Sequence, residues 1–144
     1  MSENKIDVRE LNWSPTSLKN GEWGKGPSRD DPVYAILAQA IGETLCTGTI
    51  GNYYGGLDMF LVVKDGRYGY IEMRYGTCNM CDPITYCDCW EDLQEYFDEV
   101  VSDMKWMSHD EAVIHFSNPI TKSIPQYNRF CEQCLNKLEL NHDR

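Results

Sequence analysis

The stretch "DMFLVVKDGRYGYIEMRY", residues 58 to 75, restricts the fold more than any other part of the chain. Asp65-Gly66 is the pair favoured in a two-residue type I′ turn, where both positions take a positive φ. On one side lies a continuous apolar run and on the other an alternating one, both rich in β-branched and aromatic residues. The stretch therefore predicts an antiparallel hairpin. Alternation puts Tyr68, Tyr70, Glu72 and Arg74 on one face and Ile71, Met73 and Tyr75 on the other. "TIGNYY", ahead of the Gly55-Gly56 turn, reads as a third strand and completes a meander.

Helical patterns flank the hairpin. "DPVYAILAQAIGETLC" predicts a helix over 33–46, with Asp31 as cap, Pro32 at the first position and Gly42 as a weak point. "WEDLQEYFDEVVSDM" predicts another over 90–104, with Trp90, Leu93, Phe97, Val100, Val101 and Met104 as its buried stripe. "KWM" fits a short edge strand or a bend. In "SHDEAVIHF", Ser108 and Glu111 have capping-box spacing, and Ile114 and Phe116 are read as core-facing. Pro125 opens a final helix. The expected fold is α+β: a three-stranded antiparallel meander packed against two to four helices, with a Cys-rich loop before the acidic helix. At 144 residues the chain suits one domain. Residues 1–31, rich in Gly, Pro and Ser, read as a loosely ordered arm that carries Trp13 and Trp23. Residues 32–118 read as the core, and 119–144 as a linker and C-terminal helix.

Charge is concentrated in one place. Residues 77–118 hold ten acids against Lys105 alone, which is −9 of the chain's net −10. Within the second helix, Glu91, Glu95, Glu99 and Asp103 recur every fourth residue, with Asp92 and Asp98 beside them. They form one row, rising about 6 Å per step. A solvated helix face is one reading. The other is a mimic of a phosphate backbone that occupies a basic groove. Acidity of this degree disfavours direct binding of nucleic acid or an anionic membrane. It favours a basic protein partner.

Four of the seven cysteines fall within "CNMCDPITYCDC", and Cys131 and Cys134 form a second C-x2-C. Two such pairs can close a tetrahedron around zinc. The candidate set for one structural zinc ion is Cys78, Cys81, Cys131 and Cys134, with Cys78, Cys81, Cys87 and Cys89 as a local alternative. Buried reduced thiols fit the same residues equally well. "MSENKIDVRELNW" lacks the apolar segment of a leader, and no apolar run approaches the ~20 residues of a membrane span. These features point to the cytosol, where disulfides are disfavoured.

"GNYYGG", "YGTCNMCD", the acidic helix and "KWMSHDEAVIHF" together resemble a group of small phage and mobile-element proteins with a Tyr-Gly-Ser-Cys-x-x-Cys-Asp signature. The resemblance spans residues 50 to 117. Thr77 stands where the group has Ser, and "PITYCDC" looks like an insertion. The resemblance implies a phage accessory protein acting in a bacterial host's cytosol, a class that often blocks host defences such as CRISPR effectors.

Catalysis is the weaker expectation. His109, read as an exposed first-turn residue, His115 and His142 form no spacing that dictates a triad or a hydrolytic metal site. A thiol enzyme pairing a cysteine with His115 is the third-ranked reading. The leading expectation is an acidic inhibitor whose Glu91, Asp92, Glu95, Asp98, Glu99 and Asp103 dock on a host protein's basic groove. The second is a structural-zinc interaction protein that binds through Trp13, Trp23 and the Tyr68/Tyr70 strand face, and that face also suits a homodimer.

Overall fold

A computed structural model describes residues 6–11, 33–52, 55–76, 90–117 and 124–141. Helix α1 (Val33–Ile41) leads into strands β1 (Glu43–Asn52), β2 (Gly55–Lys64) and β3 (Arg67–Gly76). Helix α2 (Trp90–Asp103), strand β4 (Lys105–Met107), helix α3 (His109–Ser117) and helix α4 (Pro125–Leu140) follow. The strands form one antiparallel sheet in the order β1-β2-β3-β4. The fold is α+β, as the sequence predicts, but the sheet has four strands because "KWM" pairs with β3.

The β2–β3 turn is the one the sequence predicts. Asp65 and Gly66 have φ of 53° and 77°, and Lys64 pairs with Arg67. β2 is buried on both faces, which explains its unbroken apolar run. Phe60 and Val62 point to one core with Leu37, Ile71, Leu93 and Phe97. Met59 and Leu61 point to a second core with Tyr68, Phe116, Phe130 and Leu138. Thus α1 and α2 cover one face of the sheet, and α3 and α4 cover the other.

Three expectations are corrected. The first helix stops at Ile41, where Gly42 donates its N–H to the Ala38 carbonyl and lies against Val63. Residues 43 to 46 belong to β1, and the apolar helical period of the sequence runs on across the strand start. Val101 and Ile114 are exposed rather than core-facing, because the α2 stripe runs through Val100 and α3 turns Ala112 and Phe116 inward. The tyrosine end of the Tyr68/Tyr70 face of β3 is covered: Tyr68 is 4% exposed beneath α3 and α4, whereas Glu72 and Arg74 on the same face stay exposed.

Within the expected loose arm, Asp7 caps a 3-10 turn over Val8–Glu10, and Val8 is buried against α2. Gln94 clamps this segment by accepting from the Val8 N–H (2.9 Å) and donating to the Ile6 carbonyl (2.8 Å). Trp13, Trp23, Cys78, Cys81, Cys87, Cys89 and His142 lie outside the described residues. Among the described residues, no helix is long and apolar enough to cross a membrane.

Candidate functional site: the acidic face of helix α2 and its cleft

Helix α2 forms because two incompatible surfaces fit one helical period. Trp90, Leu93 and Phe97 are buried, and Tyr96, Val100 and Met104 pack beside them against the α1-side core. Each of the fully buried side chains contributes about 1.5–3 kcal/mol of apolar burial. This packing holds the opposite face outward. Glu91, Glu95, Glu99 and Asp103 are all exposed, while Asp92 and Asp98 are half-buried at the flanks. Asp98 accepts a hydrogen bond from Gln94 (3.0 Å), so the same glutamine that holds the N-terminal segment orients one flank carboxylate. Glu95, Glu99 and Asp103 make no ion pair among the described residues. The last turn of α2 contains no basic residue, so Glu99 and Asp103 sit at the negative end of the helix dipole.

The C-terminal half of α2 also forms one wall of a cleft of about 550 Å³. β3 supplies the floor with Ile71 and Glu72, α2 contributes Glu99 and Asp103, and Lys105 and His115 stand opposite. The cleft exists because β4 is short. It pairs with β3 only over Tyr68 to Tyr70, whereas β2 pairs with β3 as far as Gly76. Tyr70 donates to Glu72 (2.6 Å), and burial together with that carboxylate raises the phenol far above its ordinary range. The His115 ring packs on Tyr70 and Phe116, and desolvation followed by nearby Lys105 lowers its pKa.

The remaining candidates fall elsewhere. His109 is a clasp between helices rather than an exposed residue. Its Nε2 lies 2.7 Å from the Leu138 carbonyl, which can only accept, so Nε2 carries the hydrogen. Its ring stands edge-on to Tyr68. Ser108 and Glu111 form the reciprocal capping box, at 2.8 and 3.2 Å. Cys131 and Cys134 lie in the α4-side core with Phe130 and Leu138, and burial pushes both thiols up. That direction is opposite to the one an activated nucleophile needs. Their neighbour from β1 is Cys46, whose thiol donates to Gln133 Oε1 (3.4 Å). The sequence does not reveal Cys46 as their partner, because the helical period of α1 continues through it. A register shift between Thr44 and Cys46 is what turns both Leu45 and Cys46 toward α4. Among the described residues, no group of three or more His, Cys, Asp or Glu is arranged to hold a metal ion. Both proposed zinc sets depend on Cys78 and Cys81, which lie outside those residues.

No family model, curated protein or solved structure matches the chain.

Proposed function

We propose that this protein is an acidic binding module. It seats the carboxylate row of α2 in a basic groove of a nucleic-acid-binding protein and blocks that groove sterically. The resemblance to phage accessory proteins points to a bacterial defence protein, with CRISPR effectors among the candidates. The observation that carries the reading is the exposure of Glu91, Glu95, Glu99 and Asp103 on one rigid helix face, the last three without an ion pair among the described residues. From Glu91 to Asp103 the row spans about 18 Å. A surface serving only solubility gains most from mixed signs. This row instead carries like charges at the spacing where they repel.

The test is capture from a bacterial lysate expressing defence effectors, using the wild-type chain and a variant with all four row residues changed to Lys. The expected result is a nucleic-acid-binding protein held by the wild type at low salt, released at high salt and never held by the variant. Equal capture by both chains, or no salt-sensitive partner, refutes the reading.

A further inference from the structure

We infer that the cleft beside α2 receives an extended basic segment of the partner, which adds to the sheet as a strand alongside β3. This rests on the docking reading above and specifies the form in which the basic partner binds. Three observations converge on it. First, among the described residues β3 is paired on its outer side at Tyr68, Gly69 and Tyr70 alone. From Ile71 to Gly76, no strand among the described residues pairs with that side. Six residues of strand offer about 20 Å of ladder, and open strand edges are templates for pairing. Second, the space is there. The 550 Å³ cleft lies over this edge, walled by α2 on one side and α3 on the other. That volume falls within the range typical of ligand sites. Third, the chemistry of the walls is graded. Ile71, Val100, Met104 and Met107 provide apolar surface, and Glu72, Glu99 and Asp103 provide carboxylates.

An added strand in line with β4 would turn alternate side chains toward opposite walls. Those facing α2 meet Glu99, Asp103 and Val100. Those facing α3 meet Tyr70, Glu72 and His115. A segment with Lys or Arg at every second position places its cations against Glu99 and Asp103. Lys105 and Arg74 at the cleft margins disfavour the opposite orientation of charge.

The experiment uses the full chain and two synthetic six-residue peptides that alternate Lys and Val. One is unmodified. The other is N-methylated at alternate residues, so that one edge can no longer donate to a ladder. Affinity is read by fluorescence anisotropy, and amide protection by hydrogen exchange. The unmodified peptide is expected to bind at least tenfold more tightly than the methylated one and to slow exchange within residues 71–76. Glu99→Lys and Asp103→Lys should each weaken it severalfold. Equal affinity of the two peptides, absence of binding, or protection restricted to α2 overturns strand addition. Protection restricted to α2 would leave the carboxylate-row reading standing, whereas loss of salt-sensitive capture from lysate would remove both.

Discussion

Reversing one charge in the α2 row should stabilise the protein while it weakens binding. Glu99 lies four residues from both Glu95 and Asp103. Each like-charged pair at that spacing costs about 0.2–0.5 kcal/mol, and an opposite pair returns a similar amount. Glu99→Lys therefore swings two contacts, for about 1–2 kcal/mol in all. A cation in the last turn also complements the helix dipole, adding a few tenths of a kcal/mol up to ~1. The sum is about 1–3 kcal/mol at low salt, or roughly 3–12 °C in melting temperature for a chain of this size. The carboxylates are exposed and about 6 Å apart along the axis, so salt should erase the difference. The screening length is about 30 Å at 0.01 M and about 3 Å at 1 M. The assay is thermal unfolding of wild type and variant at those two ionic strengths. A variant that is less stable at low salt, or a difference that persists at high salt, would show that Glu99 is compensated in the fold. The case for a surface kept under strain for binding would then fail.

Three further substitutions probe the packing of the rest of the fold. At Gly48 an added Cβ would stand 2.7 Å from Phe130 Cδ1, so Gly48→Val should prise α4 from β1. The expected loss is about 1–3 kcal/mol by urea unfolding, and an unchanged midpoint would refute this close packing. His109→Ala removes the donor to the Leu138 carbonyl and should cost about 1–3 kcal/mol. Its mark should be faster amide exchange at the end of α4, and unaltered exchange there would count against the clasp. Asp58 is half-buried, and desolvation raises its pKa against the hydrogen bond from Thr49. A raised folded pKa means that the ionised form opposes folding at neutral pH, and that this penalty fades as pH falls through the raised value. Asp58→Asn keeps the acceptor for Thr49 and should be more stable than wild type at pH 7, with the gap closing toward pH 4. A gap that widens on acidification would reverse the assignment.

How far the fold could be read from the sequence depended on how local its determinants were. The Asp65-Gly66 turn, the Ser108/Glu111 box and the Pro125 helix start are set by neighbours within four residues, and each occurs where its pattern predicts. The α2 stripe was legible for the same reason, except at Val101, which the period alone cannot separate from Val100. What was not legible depended on distant contacts. Glu43 to Cys46 fit the helical period of α1 until pairing with Val62, Val63 and Leu61 draws them into β1. Tyr68 and Tyr70 alternate like a surface, and only the packing of α3 and α4 onto them buries Tyr68 and half-buries Tyr70. Cys46 joins Cys131 and Cys134 across 85 or more positions, a distance at which no spacing rule applies.

The carboxylate row was visible in the sequence, but the cleft was not, because it arises from a mismatch in strand length. β3 extends to Gly76 in pairing with β2, while β4 begins only at Lys105, opposite Tyr70 and two positions after α2 ends at Asp103. The chain thus leaves six residues of β3 without a strand partner on that side among the described residues, next to the helix that carries the row of carboxylates. If this edge, unpaired among the described residues, served no partner, an inward Lys or a Pro near Glu72 would blunt it at little cost. The described part of the edge instead carries Ile71 and Met73 inward, with Glu72 and Arg74 exposed on the other face. Substituting Glu72 by Pro makes a sharp test of that logic. It removes a backbone donor on β3, and if the Glu72 N–H points outward, the loss falls on the open edge and spares the β2 ladder. Peptide binding should then vanish with the fold intact by circular dichroism. Loss of the β2–β3 pairing instead would show that this N–H serves the sheet rather than a partner.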